Sequence, residues 1–97
     1  MNRNIENDIT EFTSILKDSD NSEGLKIFSE IFTEPELETL SKRLRILKML
    51  SEGKTQREVA RILQVSLCKV TRGAKILKNS KSIITKYIGR DYYGRKV

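Results

Sequence analysis

From Gln56 to Lys78 the side chains able to hydrogen-bond or carry charge are nearly all donors or cations. Gln56, Arg57, Arg61, Ser66, Lys69, Thr71, Arg72, Lys75 and Lys78 stand there against a single carboxylate, Glu58. Such a set suits a polyanion: hydroxyls, amides and helix N-termini meet phosphate oxygens, while side chains on the first turns of a second helix reach base edges in the major groove. Catalytic chemistry is harder to assemble. The chain has no His and one Cys, so it offers no imidazole for a triad, no Cys/His cluster for zinc and no intramolecular disulfide. Neither a carboxylate cluster nor a nucleophile beside a base is evident, so no enzyme activity, catalytic residue or metal site is expected. Cys68 lies beside Lys69, but a lone cysteine is more often incidental than a redox switch.

The charge is divided along the chain. All 97 residues carry 19 Lys and Arg against 13 Asp and Glu, a net +6. Residues 1 to 40 hold three cations and ten anions, net −7, and residues 41 to 97 hold 16 cations and three anions, net +13. A basic half of this size attracts phosphate polyanions by counterion release, and would equally suit an acidic protein, an anionic membrane surface or a merely solvated face. A hydrophobic fraction of 37% supports a helical core, but so short a chain buries a modest share of its surface, which makes a partner subunit an expectation. The polar, acidic first ten residues contain no signal-like apolar run, and no segment is apolar for the length of a membrane span. The expected address is cytoplasmic.

Helical periodicity runs through the elements that must position these side chains. Ile5, Ile9, Phe12 and Leu16 share one face of a first helix ending near Lys17; Asp18 to Ser22 reads as a turn, with Ser22 capping a second helix that carries Leu25, Phe28, Ile31 and Phe32. Thr33, Pro35 and Glu36 form a capping box with proline in the first turn, opening a third helix whose stripe is Leu37, Leu40, Leu44, Leu47 and Leu50 and which stops at Gly53. Its other face carries Lys42, Arg43, Arg45 and Lys48. Thr55-Gln56-Arg57-Glu58 is a second capping box, opening a helix with Val59, Ile62 and Leu63 inward. After a break at Val65 and Ser66, the residues Leu67, Val70, Ala74 and Leu77 repeat to Asn79, which makes a helix-turn-helix over about 55 to 78. Gln64 stands where such turns favour Gly and would have to adopt a left-handed conformation. Lys81 to Ile88 reads as a last short helix. The expected organisation is one all-α helical domain over 1–90 with a loose basic tail at 91–97.

The third helix and the short pair, with their side chains, resemble the tryptophan repressor family. The resemblance is carried by Thr33, Leu40, the run Arg43-Leu44-Arg45-Ile46-Leu47, Gly53, Thr55-Gln56-Arg57-Glu58, Val70-Thr71-Arg72-Gly73 and Leu77-Lys78, in order over residues 25 to 80. It implies an all-α, intertwined homodimer that binds a palindromic operator in double-stranded DNA as a repressor, with L-tryptophan as corepressor between the third and recognition helices. It also implies roles. Gln56, Arg57 and Thr71 would touch phosphate or base edges, and Ser66, Leu67, Cys68 and Lys69 would enter the groove at the start of the recognition helix with a base preference of their own. Arg43 and Arg72 would sandwich an indole ring, Arg72 also pairing the ligand's carboxylate, with Thr33, Gly73 and Ile76 completing the ligand set.

Two departures bear on the ligand. Only Lys54 and Thr55 separate Gly53 from Gln56, one residue fewer than in tryptophan-responsive members, and Ile76 stands where those members carry a Ser facing the ligand's amino group. Two further readings therefore stay open: a ligand-independent or differently liganded repressor-related DNA-binding protein, and a helical interaction module without DNA affinity. The homodimer would be formed by the first, second and last helices through Phe12, Ile15, Leu16, Phe28, Ile31, Phe32, Ile84, Tyr87 and Ile88.

Overall fold

A computed structural model describes residues 1–88. Among them are five α-helices, one 3-10 turn and no strand. The chain divides into two compact units, Met1–Leu37 and Glu38–Val97.

In the first unit, α1 (Arg3–Asp18) starts at Asn2, whose side chain accepts the Ile5 N–H at 2.9 Å. Helix α2 (Asn21–Ile31) is capped by Asp20 and not by the expected Ser22. Asp20 accepts the Glu23 N–H at 2.8 Å while the Glu23 carboxylate accepts the Asp20 N–H at 3.0 Å, so the reciprocal box begins two residues earlier and draws Ser22 into the helix. Phe12, Phe28 and Phe32 gather: Phe12 meets Phe28 edge-on with centroids 5.4 Å apart, and Phe28 stacks on Phe32 at 5.3 Å. No residue of α1 or α2 is buried, and Leu25 is 76% exposed.

Helix α3 (Glu34–Ser51) runs across the division between the units. Its start is the expected one: the Thr33 hydroxyl accepts the Glu36 N–H at 3.3 Å, and the Glu36 carboxylate accepts the Thr33 N–H at 2.8 Å. It stops before Gly53, whose φ of +97° is the left-handed conformation that glycine adopts without strain. The leucine stripe is only partly inward. Ile46 and Leu47 are the buried residues of α3, while Leu40 and Leu44 are each 38% exposed.

Helices α4 (Gln56–Leu63) and α5 (Leu67–Lys78) pack on each other, and the core lies where they meet α3. Val59 and Val70 are fully buried, with Ile46 and Leu63 beside them and Met49, Leu50, Ala60 and Val65 packed around. Two expected inward residues face out instead: Ile62 and Leu67 are exposed, since a seam this short is filled by one Val and one Leu of α4 and by Val70 and Ala74 of α5. Gly73 explains how closely α5 approaches. A Cβ there would lie 2.6 Å from Cγ2 of Ile46, so the helix can sit on α3 only without a side chain at that position.

The expected last helix is absent. Lys81 to Ile88 holds only a 3-10 turn, Ile84–Lys86, preceded by a turn in which the Asn79 side chain accepts the Lys81 N–H at 2.9 Å. Two β-branched residues in sequence, Ile83 and Ile84, are both exposed, and burial of these two does not offset the cost of helix nucleation in so short a segment. The tail expected at 91–97 lies outside the described residues.

Candidate nucleic-acid interface

Helix α4 begins at Thr55, whose side chain accepts the Glu58 N–H at 3.1 Å while the Glu58 carboxylate accepts the Thr55 N–H at 3.0 Å. Those hydrogen bonds, the backbone one first and the hydroxyl second, with Lys54 and Arg61 adding weaker attraction, hold the Glu58 carboxyl below the usual carboxylate range. The one acidic side chain of the α4–α5 pair is thus turned back onto its own helix start. Gln56 and Arg57 occupy the first turn, Gln56 half-buried and Arg57 exposed.

The connection is short because Gln64 takes the left-handed conformation, φ 55° and ψ 49°. For a non-glycine residue this costs about 1 kcal/mol or more. It lets Gln64 cap α4 through its N–H, after which the Val65 N–H bonds the Ala60 carbonyl at 3.1 Å and α5 starts at Ser66. The Ser66 hydroxyl oxygen accepts the Lys69 N–H at 3.3 Å, so this serine caps the helix as well as standing at its exposed end. Leu67, Cys68 and Lys69 are exposed on the first turn, Leu67 by 45%. Arg72, Lys75 and Lys78 follow, all exposed.

Two pairs among the expected DNA-contacting residues are joined, Ser66 with Lys69 and Gln56 with Thr71. In the second the Thr71 hydroxyl donates to Oε1 of Gln56 at 2.9 Å in a partly buried setting, linking the first turn of α4 to α5. Both residues were legible as candidates, but nothing in their spacing of 15 announced that they would bond each other.

The residues expected at a ligand lie as follows. Arg43 and Arg72 are exposed, and neither has an ion-pair or hydrogen-bond partner among the described residues. Gly73 is buried against Ile46 and Leu47, and Ile76 is half-buried. Thr33 belongs to the first unit, where its hydroxyl engages Glu36. An open cavity of about 470 Å³ in the first unit is lined by Ile15, Asp18, Ser19, Glu23, Lys26 and Ile27, none of them an expected site residue. Among the described residues no group of three or more Cys, Asp or Glu could hold a metal ion, and no helix is long and apolar enough to cross a membrane.

Comparison with known proteins gives this geometry a lineage. Residues 8–91 match the family described as Trp repressor protein. Proteins named Trp operon repressor homolog from Xylella fastidiosa strains M23, Temecula1 and 9a5c are each 41% identical over 78 residues, covering 76% of this chain and 85% of the relative. No solved structure matches the chain. With most of its length matched by the family and by these relatives, and with five helices carrying the capping boxes and the paired short helices, the chain belongs to the Trp repressor family.

Proposed function

We propose that the chain is a cytoplasmic transcriptional repressor that binds palindromic operator DNA as a homodimer, using α4 and α5 as a helix-turn-helix. The observation that carries the reading is the outer face of this pair. Arg57, Arg61, Lys69, Arg72, Lys75 and Lys78 are exposed there, and its lone carboxylate, Glu58, is engaged in a cap. That face offers cations and donors to phosphate and leaves Leu67, Cys68 and Lys69 to lie along base edges. The name shared by the relatives agrees with a regulator of this kind.

The corepressor reading is L-tryptophan, and the residues fit it in part. Two guanidinium groups without partners among the described residues, Arg43 and Arg72, suit a carboxylate and the faces of a flat ring. Ile76 gives an ammonium group neither donor nor acceptor, and this favours a second reading, a repressor of the same architecture that answers to another ligand or to none.

The test is enrichment of duplexes from a random-sequence pool by the purified protein, with and without L-tryptophan. A palindromic consensus supports the reading, and enrichment only with L-tryptophan supports the corepressor. On the enriched duplex Arg57→Ala should weaken binding and reduce the slope of log affinity against log salt by about one. A pool that stays random overturns the DNA-binding reading in favour of an interaction module.

A further inference from the structure

The hydrogen bond between Gln56 and Thr71 is, among the described residues, the side-chain pair that ties one helix of the α4–α5 unit to the other. Its direction matters. A threonine hydroxyl carries one proton, and here that proton is given to Oε1 of Gln56 at 2.9 Å. Phosphate oxygens are acceptors only, so while this bond holds Thr71 has no donor left for a phosphate. The Gln56 amide nitrogen has two donors, and neither has a partner among the described residues.

A glutamine carboxamide is poorly restrained by its own torsions, since the last one is broad and roughly two-fold. Left alone beside DNA, it can present either its N–H₂ or its carbonyl, and a carbonyl facing a phosphate is repelled. Holding the carbonyl on Thr71 removes that choice, and a hydroxyl donating to the carbonyl also polarises the amide toward stronger donation. The pair therefore links α5 to the first turn of α4.

We propose that Thr71 is a positioning residue, whose hydroxyl holds the Gln56 carboxamide so that its N–H₂ group donates to a phosphate of duplex DNA. The inference rests on the DNA-binding reading and deepens it. It assigns the contact to Gln56 and makes Thr71 act only through it.

The test uses the full chain and the palindromic duplex it enriches from a random pool. Thr71→Val and Gln56→Ala should each weaken binding by about three- to tenfold, the net worth of one ordinary hydrogen bond. The double variant should be no weaker than either alone, because both remove the same contact. Thr71→Ser, which keeps the hydroxyl, should restore the affinity. A neutral donor releases no counterion, so the salt slope should stay at the wild-type value in all of these variants. Gln56→Glu keeps an acceptor for Thr71 while setting an anion against the phosphate, and should bind more weakly than Gln56→Ala. If Thr71→Val loses its helical circular dichroism, Gln56→Glu decides: affinity equal to wild type overturns the proposal. So do unchanged binding by a folded Thr71→Val and additive losses in the double variant, which would put Thr71 on the DNA itself. A wild-type protein that enriches no duplex overturns the DNA-binding reading and the clasp's role with it, whereas enrichment with unaffected variants overturns the clasp alone.

Discussion

A Cβ on Gly73 would lie 2.6 Å from Cγ2 of Ile46, and Ile46 is itself buried and branched at Cβ. Alanine in place of glycine within a helix ordinarily gains about 1 kcal/mol, but overpacking a filled core costs about 1 to 3 kcal/mol, and here the second effect should win. Gly73→Ala should therefore lower the unfolding free energy by up to about 2 kcal/mol in chemical denaturation. Pairing it with Ile46→Leu, which removes the offending γ-methyl at constant volume, should recover part of the loss. A Gly73→Ala protein more stable than wild type would mean that α5 sits farther from α3. The resemblance pointed to Gly73 as a ligand residue, and the structure supplies a packing reason for it whether or not a ligand is bound. A glycine inside an otherwise helical run was a readable signal of close approach; which side chain it approaches was not, because that depends on how two distant segments cross.

Helix starts were the most legible elements, since a cap is a local transaction among four consecutive residues. Thr33 with Glu36 and Thr55 with Glu58 form the reciprocal boxes their order predicts. The start of α2 was misplaced: Asp20 with Glu23 obeys the same rule, and the cap lies two residues before the expected Ser22. Inward faces were less legible. Ile62 and Leu67 have the right spacing, yet they are exposed, because periodicity ranks a face as apolar without saying how much of it a neighbour covers. The expected helix over 81–88 failed for the same reason: Ile83 and Ile84 are apolar and at helical spacing from their neighbours, yet exposed.

The caps also carry a pH dependence. Hydrogen bonds from the Thr33 and Thr55 backbones, then their hydroxyls, hold Glu36 and Glu58 below the usual carboxylate value. A carboxylate whose folded pKa is depressed stabilises the fold fully above its unfolded-state pKa, and that contribution is lost as pH falls through the folded one. Helical circular dichroism should thus decline as the pH drops below the ordinary carboxylate range. The double variant Glu36→Gln and Glu58→Gln keeps both capping acceptors without a titrating group and should show a smaller acid-induced loss. An equal loss in both proteins would assign the acid sensitivity elsewhere.

For the whole molecule, the reading of a homodimer is supported by the first unit, where the Phe12, Phe28 and Phe32 rings form a cluster although no residue of α1 or α2 is buried. Two helices of this apolar content gain an interior when a second copy covers them. Sedimentation at micromolar concentration should give twice the chain mass, and the melting temperature should rise with protein concentration, since association stabilises only the folded form. A monomer mass, with melting independent of concentration, would remove the dimer. The absence of buried residues in α1 and α2 then reaches beyond stability. Where assembled protein is the minor species, its amount follows the square of the number of chains, so halving the supply removes about three quarters of it. If a twin copy completes the fold, occupancy of a DNA site would answer more steeply than the dose of chain that fills it.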